Sequence, residues 1–133
     1  MYKFLSKADN YPKSLVYLMH SVIHSDGVVH DKEMNLIDKI YKHESVPDDV
    51  NSRFLSDMKT LNADEMYKKG LEALKSCLRE EQCRTLAWIH TVIEVDDKVD
   101  VKEARFLLYA MNSTDIKLEE IIEIAKDLPK LSE

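Results

Sequence analysis

Four acidic residues occupy matched settings in this sequence: Asp26 and Glu33 in the run from His20 to Glu33, and Asp96 and Glu103 in the run from His90 to Glu103. The two runs share the skeleton H-[ST]-V-I-x-x-D-x-x-V-x-x-K-E. Identity falls on polar positions (His20/His90, Asp26/Asp96, Lys32/Lys102, Glu33/Glu103) as well as apolar ones (Val22/Val92, Ile23/Ile93, Val29/Val99), so helical patterning does not account for it. The match reads as an internal duplication. Carboxylates are hard oxygen donors. Two acidic turns meeting across a pseudo-dyad would gather up to four of them around a divalent ion such as Ca²⁺ or Mg²⁺, with water completing the shell. Asp26 and Asp96 carry most of that reading, because each follows a helix end, where the macrodipole is negative and an anion needs a cation or donor.

Folding alone accounts for much of the rest. Gly27 supplies the left-handed conformation that closes a helix. Asp100-Val-Lys-Glu103 has the form of a capping box, Glu33 holds the corresponding position behind His30, and Val29 and Val99 act as hydrophobic staples. Two arrangements therefore stay open. Carboxylates converging within about 5 to 6 Å would share a cation, whereas separation beyond roughly 10 Å would leave two independent caps.

Other metal chemistries fit less well. An EF-hand loop ending at Glu33 needs acids at positions 22 and 24, which are Val22 and His24. The copy ending at Glu103 needs them at Val92 and Glu94, and Asp97 replaces the turn glycine there. His20 and His24 are four apart on a helix, a spacing that can chelate Zn²⁺, but HExxH is absent and no cysteine is suitably spaced. At the edge of apolar stripes, His20 and His90 read as structural or solvated histidines. Cys77 and Cys83, six apart, read as reduced, packed thiols. No nucleophile or substrate motif accompanies a base, so the chain reads as a non-enzyme.

The elements that would position these residues follow from composition and period. The 133 residues include only two Gly and three Pro, too few turn signals for a sheet. Helical periodicity predicts helices over about 12–25, 31–44, 47–59, 63–77 and 79–95, a sixth that repeats the second and carries Ala104, Phe106, Leu107, Leu108, Ala110 and Met111, and a last one near 116–128. Asn62-Ala-Asp-Glu65 marks one start with a capping box. The run from Cys83 to Val95 is apolar over most of a circumference and belongs in the centre. The expectation is all-α: one domain over 1–133, a compact bundle of about seven helices built on a duplicated helix-turn-helix unit (about 12–44 and 79–111), with the third and fourth helices bridging the copies.

Acidic residues (25) exceed basic ones (19), and the net charge of −6 opposes a polyanionic backbone, so nucleic acid is not an expected partner. The N-terminus lacks a signal-peptide stretch, and no apolar run approaches a membrane span of roughly 20 residues. A soluble, cytoplasmic protein is expected.

Two blocks of apolar helix, D-G-x-[IV]-x-x-x-E and apolar helix resemble the tellurite-resistance TerB-like family, which includes the N-terminal domain of a membrane-anchored DnaJ-type co-chaperone. The resemblance runs from about Leu15 to Ala125. It implies a fold of about seven helices, a cytoplasmic bacterial protein and an association with stress and metal resistance. It also implies metal binding at the matching acids, Asp26, Glu33, Asp96 and Glu103. Departures lie at His24-Ser25 and Glu94-Val95, where the family has small alanines, and at Asp97 in place of the second glycine. The expected function is a non-enzymatic module that binds a divalent cation through its acidic turns. The alternative is a protein-interaction domain whose acids are helix caps and whose exposed surface, including Tyr2, Phe4 and Tyr11, recruits a partner.

Overall fold

Tyr11, Leu15, Leu18, Met19, Val22 and Ile23 recur at the spacing of a helix face. In the computed structural model, which describes residues 9–25, 31–95 and 101–131, all of them are buried on α1 (Asn10–Ile23). The helices that follow are α2 (Asp31–His43), α3 (Asp48–Thr60), α4 (Ala63–Lys75), α5 (Arg79–Ile93), α6 (Val101–Thr114) and α7 (Leu118–Asp127), with no strand among the described residues. Over the described residues the chain is an all-helical, compact bundle of seven helices. Pro12 sits in the first turn of α1, where its missing N–H leaves no helical acceptor unserved. The Asn62 side chain accepts the Glu65 N–H at 2.8 Å while Glu65 accepts the Asn62 N–H at 3.0 Å, so the expected capping box starts α4.

α1 and α5 form the centre. Nearly every residue of α5 from Cys83 to Ile93 is withdrawn from water, as its apolar circumference predicts. α1 packs along α4, α5 and α6, and α5 packs on α2, α6 and α7. α4 touches α1, α5 and α6, while the main contact of α3 is α1. Bridging therefore falls to α4, not to α3 and α4 together as the sequence suggests. α3 buries only Val50 outright and has little apolar surface with which to reach a second helix.

An offset of seventy residues recurs in the backbone. α1 and α5 end at Ile23 and Ile93; the next N–H groups, of His24 and Glu94, return to His20 and His90 carbonyls. α2 and α6 start at Asp31 and Val101. Each stops through a left-handed residue, Ser45 (φ 56°) or Asp115 (φ 55°). The amide after it, of Val46 or Ile116, bonds back to the Tyr41 or Met111 carbonyl at 3.0 Å, the six-to-one bond of a Schellman close. The correspondence continues into α3 and α7, which begin after extended residues Pro47 and Lys117, beyond the units 12–44 and 79–111. Residues 26–30 and 96–100, between the paired helices, lie outside the described residues.

Several expected core positions are exposed. Met34, Leu55, Met58, Leu108, Leu118 and Ile122 lie on apolar helical stripes but remain substantially in water, because a stripe wider than its partner helix leaves its flank uncovered. Tyr11, expected on an exposed partner-binding surface, is fully buried: it belongs to the first turn of α1 rather than to an unpatterned arm. Tyr2 and Phe4 lie outside the described residues. Among those residues no helix is long and apolar enough to cross a membrane.

Candidate functional site

Glu33 and Glu103 each occupy the third position of their helix, α2 or α6, and are buried, with 1% and 3% of their surface exposed. Burying a carboxylate is costly unless donors or a cation answer it. Glu81, at the third position of α5 and also fully buried, shows how this chain answers one: its Oε1 accepts the Leu78 N–H at 3.2 Å. Leu78 has no side-chain acceptor with which to return the bond. The other two predicted site residues, Asp26 and Asp96, lie outside the described residues, as do His30 and Asp100. Among the described residues no three His, Cys, Asp or Glu side chains gather closely enough to hold a metal ion.

The C-terminal end of α1 carries the two histidines, His20 and His24. Their rings stack with centroids 4.1 Å apart and a 33° tilt, and His20 meets the edge of Phe54 at 5.0 Å. Burial, with the neighbouring His24 adding to it, pushes His20 down to about 4, so its imidazole is neutral at physiological pH. Both histidines line a cavity of about 290 Å³ together with Met58, Met66 and Phe106, and a smaller one of about 110 Å³ with Met34 and Tyr41. At the matching place on α5, His90 faces Glu94 at 3.2 Å.

A third cleft, about 380 Å³, is polar. Tyr17 donates to Asp57 at 2.6 Å and Lys69 reaches the same oxygen at 3.1 Å. The Tyr17 hydrogen bond, with help from Lys69, holds Asp57 below the usual carboxylate range. Arg53 pairs with Asp9 at 3.4 Å and with Asp49 at 3.0 Å.

Sequence reasoning missed the most elaborate polar cluster. Glu44, fully buried just past α2, accepts hydrogen bonds from Tyr11, from the Trp88 indole at 2.9 Å and from Arg84 through the Nε and Nη2 of one guanidinium edge. Burial alone would raise its pKa, but the bonds from Arg84, Tyr11 and Trp88 outweigh it and hold the group below its ordinary value. Burial and the facing carboxylate raise Tyr11 far above the usual phenol range. A signal was present: Glu44 continues the Ile37, Ile40 and Tyr41 face, so a charge stands at a core position, and Arg84 lies one turn before Trp88 on the apolar helix opposite. Nearby, Ser14 Oγ lies 3.2 Å from Thr85 Oγ1 and donates to the Tyr11 carbonyl at 2.8 Å. Cys77 and Cys83 are free, buried thiols, as expected, and burial pushes Cys77 up to about 12.

No family model matches the chain, and no curated protein does. Its fold is similar to that of a crystal structure of a protein of unknown function from Porphyromonas gingivalis, with a TM-score of 0.64 at 12% identity over 94% of this chain and 100% of that one. At such identity the likeness concerns the fold.

Proposed function

We propose that the chain is a non-enzymatic, TerB-like helical module that takes up a divalent cation, Ca²⁺ or Mg²⁺, through Asp26, Glu33, Asp96 and Glu103, in a cytoplasmic response to stress or toxic metal. The observation that supports this reading is the paired burial of Glu33 and Glu103, at one position in two matching helices and each seven residues after an aspartate in the sequence. An ion held by these acids would also answer the negative end of α1 or α5. The non-catalytic part is supported by the thiols, which burial holds protonated and unreactive at neutral pH. The test is thermal melting of the full chain against Ca²⁺, Mg²⁺, Mn²⁺ and Zn²⁺. A ligand that binds only the native state raises its melting temperature with concentration. The rise is expected with Ca²⁺ or Mg²⁺ and is abolished by Asp26→Asn with Asp96→Asn; a melt indifferent to all four ions defeats the reading.

A second reading has its own support in Glu81, the buried third-position glutamate that serves as a cap. Under it Glu33 and Glu103 are structural, and the exposed face recruits a protein partner. Glu33→Gln and Glu103→Gln would then lower the melting temperature equally with and without divalent ions.

A further inference from the structure

Two cavities open side by side at the end of α1, and the stacked rings of His20 and His24 belong to the wall of both. The larger, about 290 Å³, runs toward α4 and α6 and is walled by Met58, Met66 and Phe106; the smaller, about 110 Å³, runs toward α2 and is walled by Met34 and Phe54. Met34 and Met58 are 40% and 44% exposed. A single exposed apolar side chain is ordinary, but several around two adjoining hollows mark a place where another molecule sits. Methionine suits such a surface, because its unbranched thioether chain adapts its shape to what it meets. Apart from the histidines, the side chains there that carry charge at neutral pH are carboxylates, Asp38 on one wall and Asp64 on the other. Both are exposed, and no lysine or arginine joins them among the described residues.

The occupant follows from backbone and charge. The described walls are helices and the α3–α4 turn, with no strand edge among them. An extended peptide would find no row of free N–H and C=O groups to pair with, whereas a helix arrives with its own backbone satisfied and needs only side-chain contacts. Apolar residues on successive turns of such a helix would fill the two hollows. Carboxylates at the rim favour lysine or arginine on its flanks. A second copy of this chain carries the same net charge of −6 and is repelled. We propose that the His20–His24 end of α1 is the floor of a groove that takes a basic amphipathic helix of a partner protein, anchored in the two cavities and flanked by cations that face Asp38 and Asp64. This inference rests on the partner-recruiting reading and gives it a surface.

The probe is a synthetic amphipathic helix with leucine on one face and lysine on the other, titrated into the full chain in a calorimeter. One peptide per chain is expected to bind, and a counterpart with glutamate for lysine should bind about tenfold more weakly or not at all. Met58→Glu changes an exposed residue and adds a carboxylate, so it strengthens any diffuse attraction while spoiling the groove; it is expected to weaken binding about tenfold. Asp38→Asn with Asp64→Asn should weaken it about threefold and flatten its salt dependence. Glu119→Gln with Glu123→Gln removes the same charge from α7 and leaves binding unchanged. With ¹³C-methyl methionine labelling, the peptide should shift Met34, Met58 and Met66 while Met19 and Met111 stay in place. Absence of binding overturns the proposal, as does equal binding of both peptides or an equal loss in the α7 variant. Methyl shifts that track chain concentration without peptide would put a second copy in the groove and overturn it too. Binding that survives Met58→Glu places the partner elsewhere and defeats the groove alone; the partner-recruiting reading itself is judged by the Glu33→Gln and Glu103→Gln melts.

Discussion

Glu44 is an anion kept in the protein interior by three donors of different kinds, a phenol, an indole and a guanidinium. Removing one partner of such a buried pair leaves the other charge uncompensated, at a cost of about 3–5 kcal/mol. Glu44→Gln is therefore expected to lower stability in urea by that order, because the amide keeps the shape but loses the charge that Arg84 faces. The pH dependence has a definite sign. The folded pKa of Glu44 lies below its unfolded value, about 4.3. Its contribution is present in full above that value and fades as the pH falls through the folded pKa. The stability gap between wild type and Glu44→Gln should thus be constant from neutrality to about pH 5 and narrow below about pH 4. A gap that stays constant down to pH 3 would mean that the carboxylate does not carry the charge.

Among the elements, α1 and α4 pack most closely, and Gly70 makes that approach possible. A Cβ at position 70 would stand 3.0 Å from Leu18 Cγ and Tyr17 Cβ, and both neighbours are buried and unable to retreat. In an open helix Gly→Ala would stabilise by about 1 kcal/mol. Here overpacking, typically about 1–3 kcal/mol, should win. Gly70→Ala is expected to lower the denaturation midpoint, and a raised midpoint would show that the two helices have room to spare. The sequence made the helices legible because period and caps are local: the Asn62 box, the start of α2 and the central burial of α5 all rest on residues within one or two turns of each other. It did not reveal which flank of each stripe is covered. Leu55 and Leu108 lie on apolar faces as surely as Phe54 and Leu107 do, yet only a neighbouring helix decides which of them is dry. For the candidate sites the same limit applies. Glu44 and Arg84 are forty residues apart, so their grouping has no spacing that a motif could record.

At the scale of the molecule, the two central helices draw their neighbours from both halves of the chain: α1 from α4, α5 and α6, and α5 from α2, α6 and α7. Neither half can complete a core alone, and a single cooperative transition is expected. Trp88, the sole tryptophan, is fully buried against Glu44, so its emission reports the middle of that core. Fluorescence and far-UV circular dichroism should give the same urea midpoint, and two separated midpoints would show that the halves unfold independently. The placement of α1 also matters during synthesis. Ribosomes add about 5–20 residues each second, and the helix must wait through the stretch from Ile23 to Thr114 before α6 can cover it. For roughly 5 to 20 seconds every nascent copy leaves the α6-facing flank of its first helix bare, while α4, made sooner, can already shelter the rest.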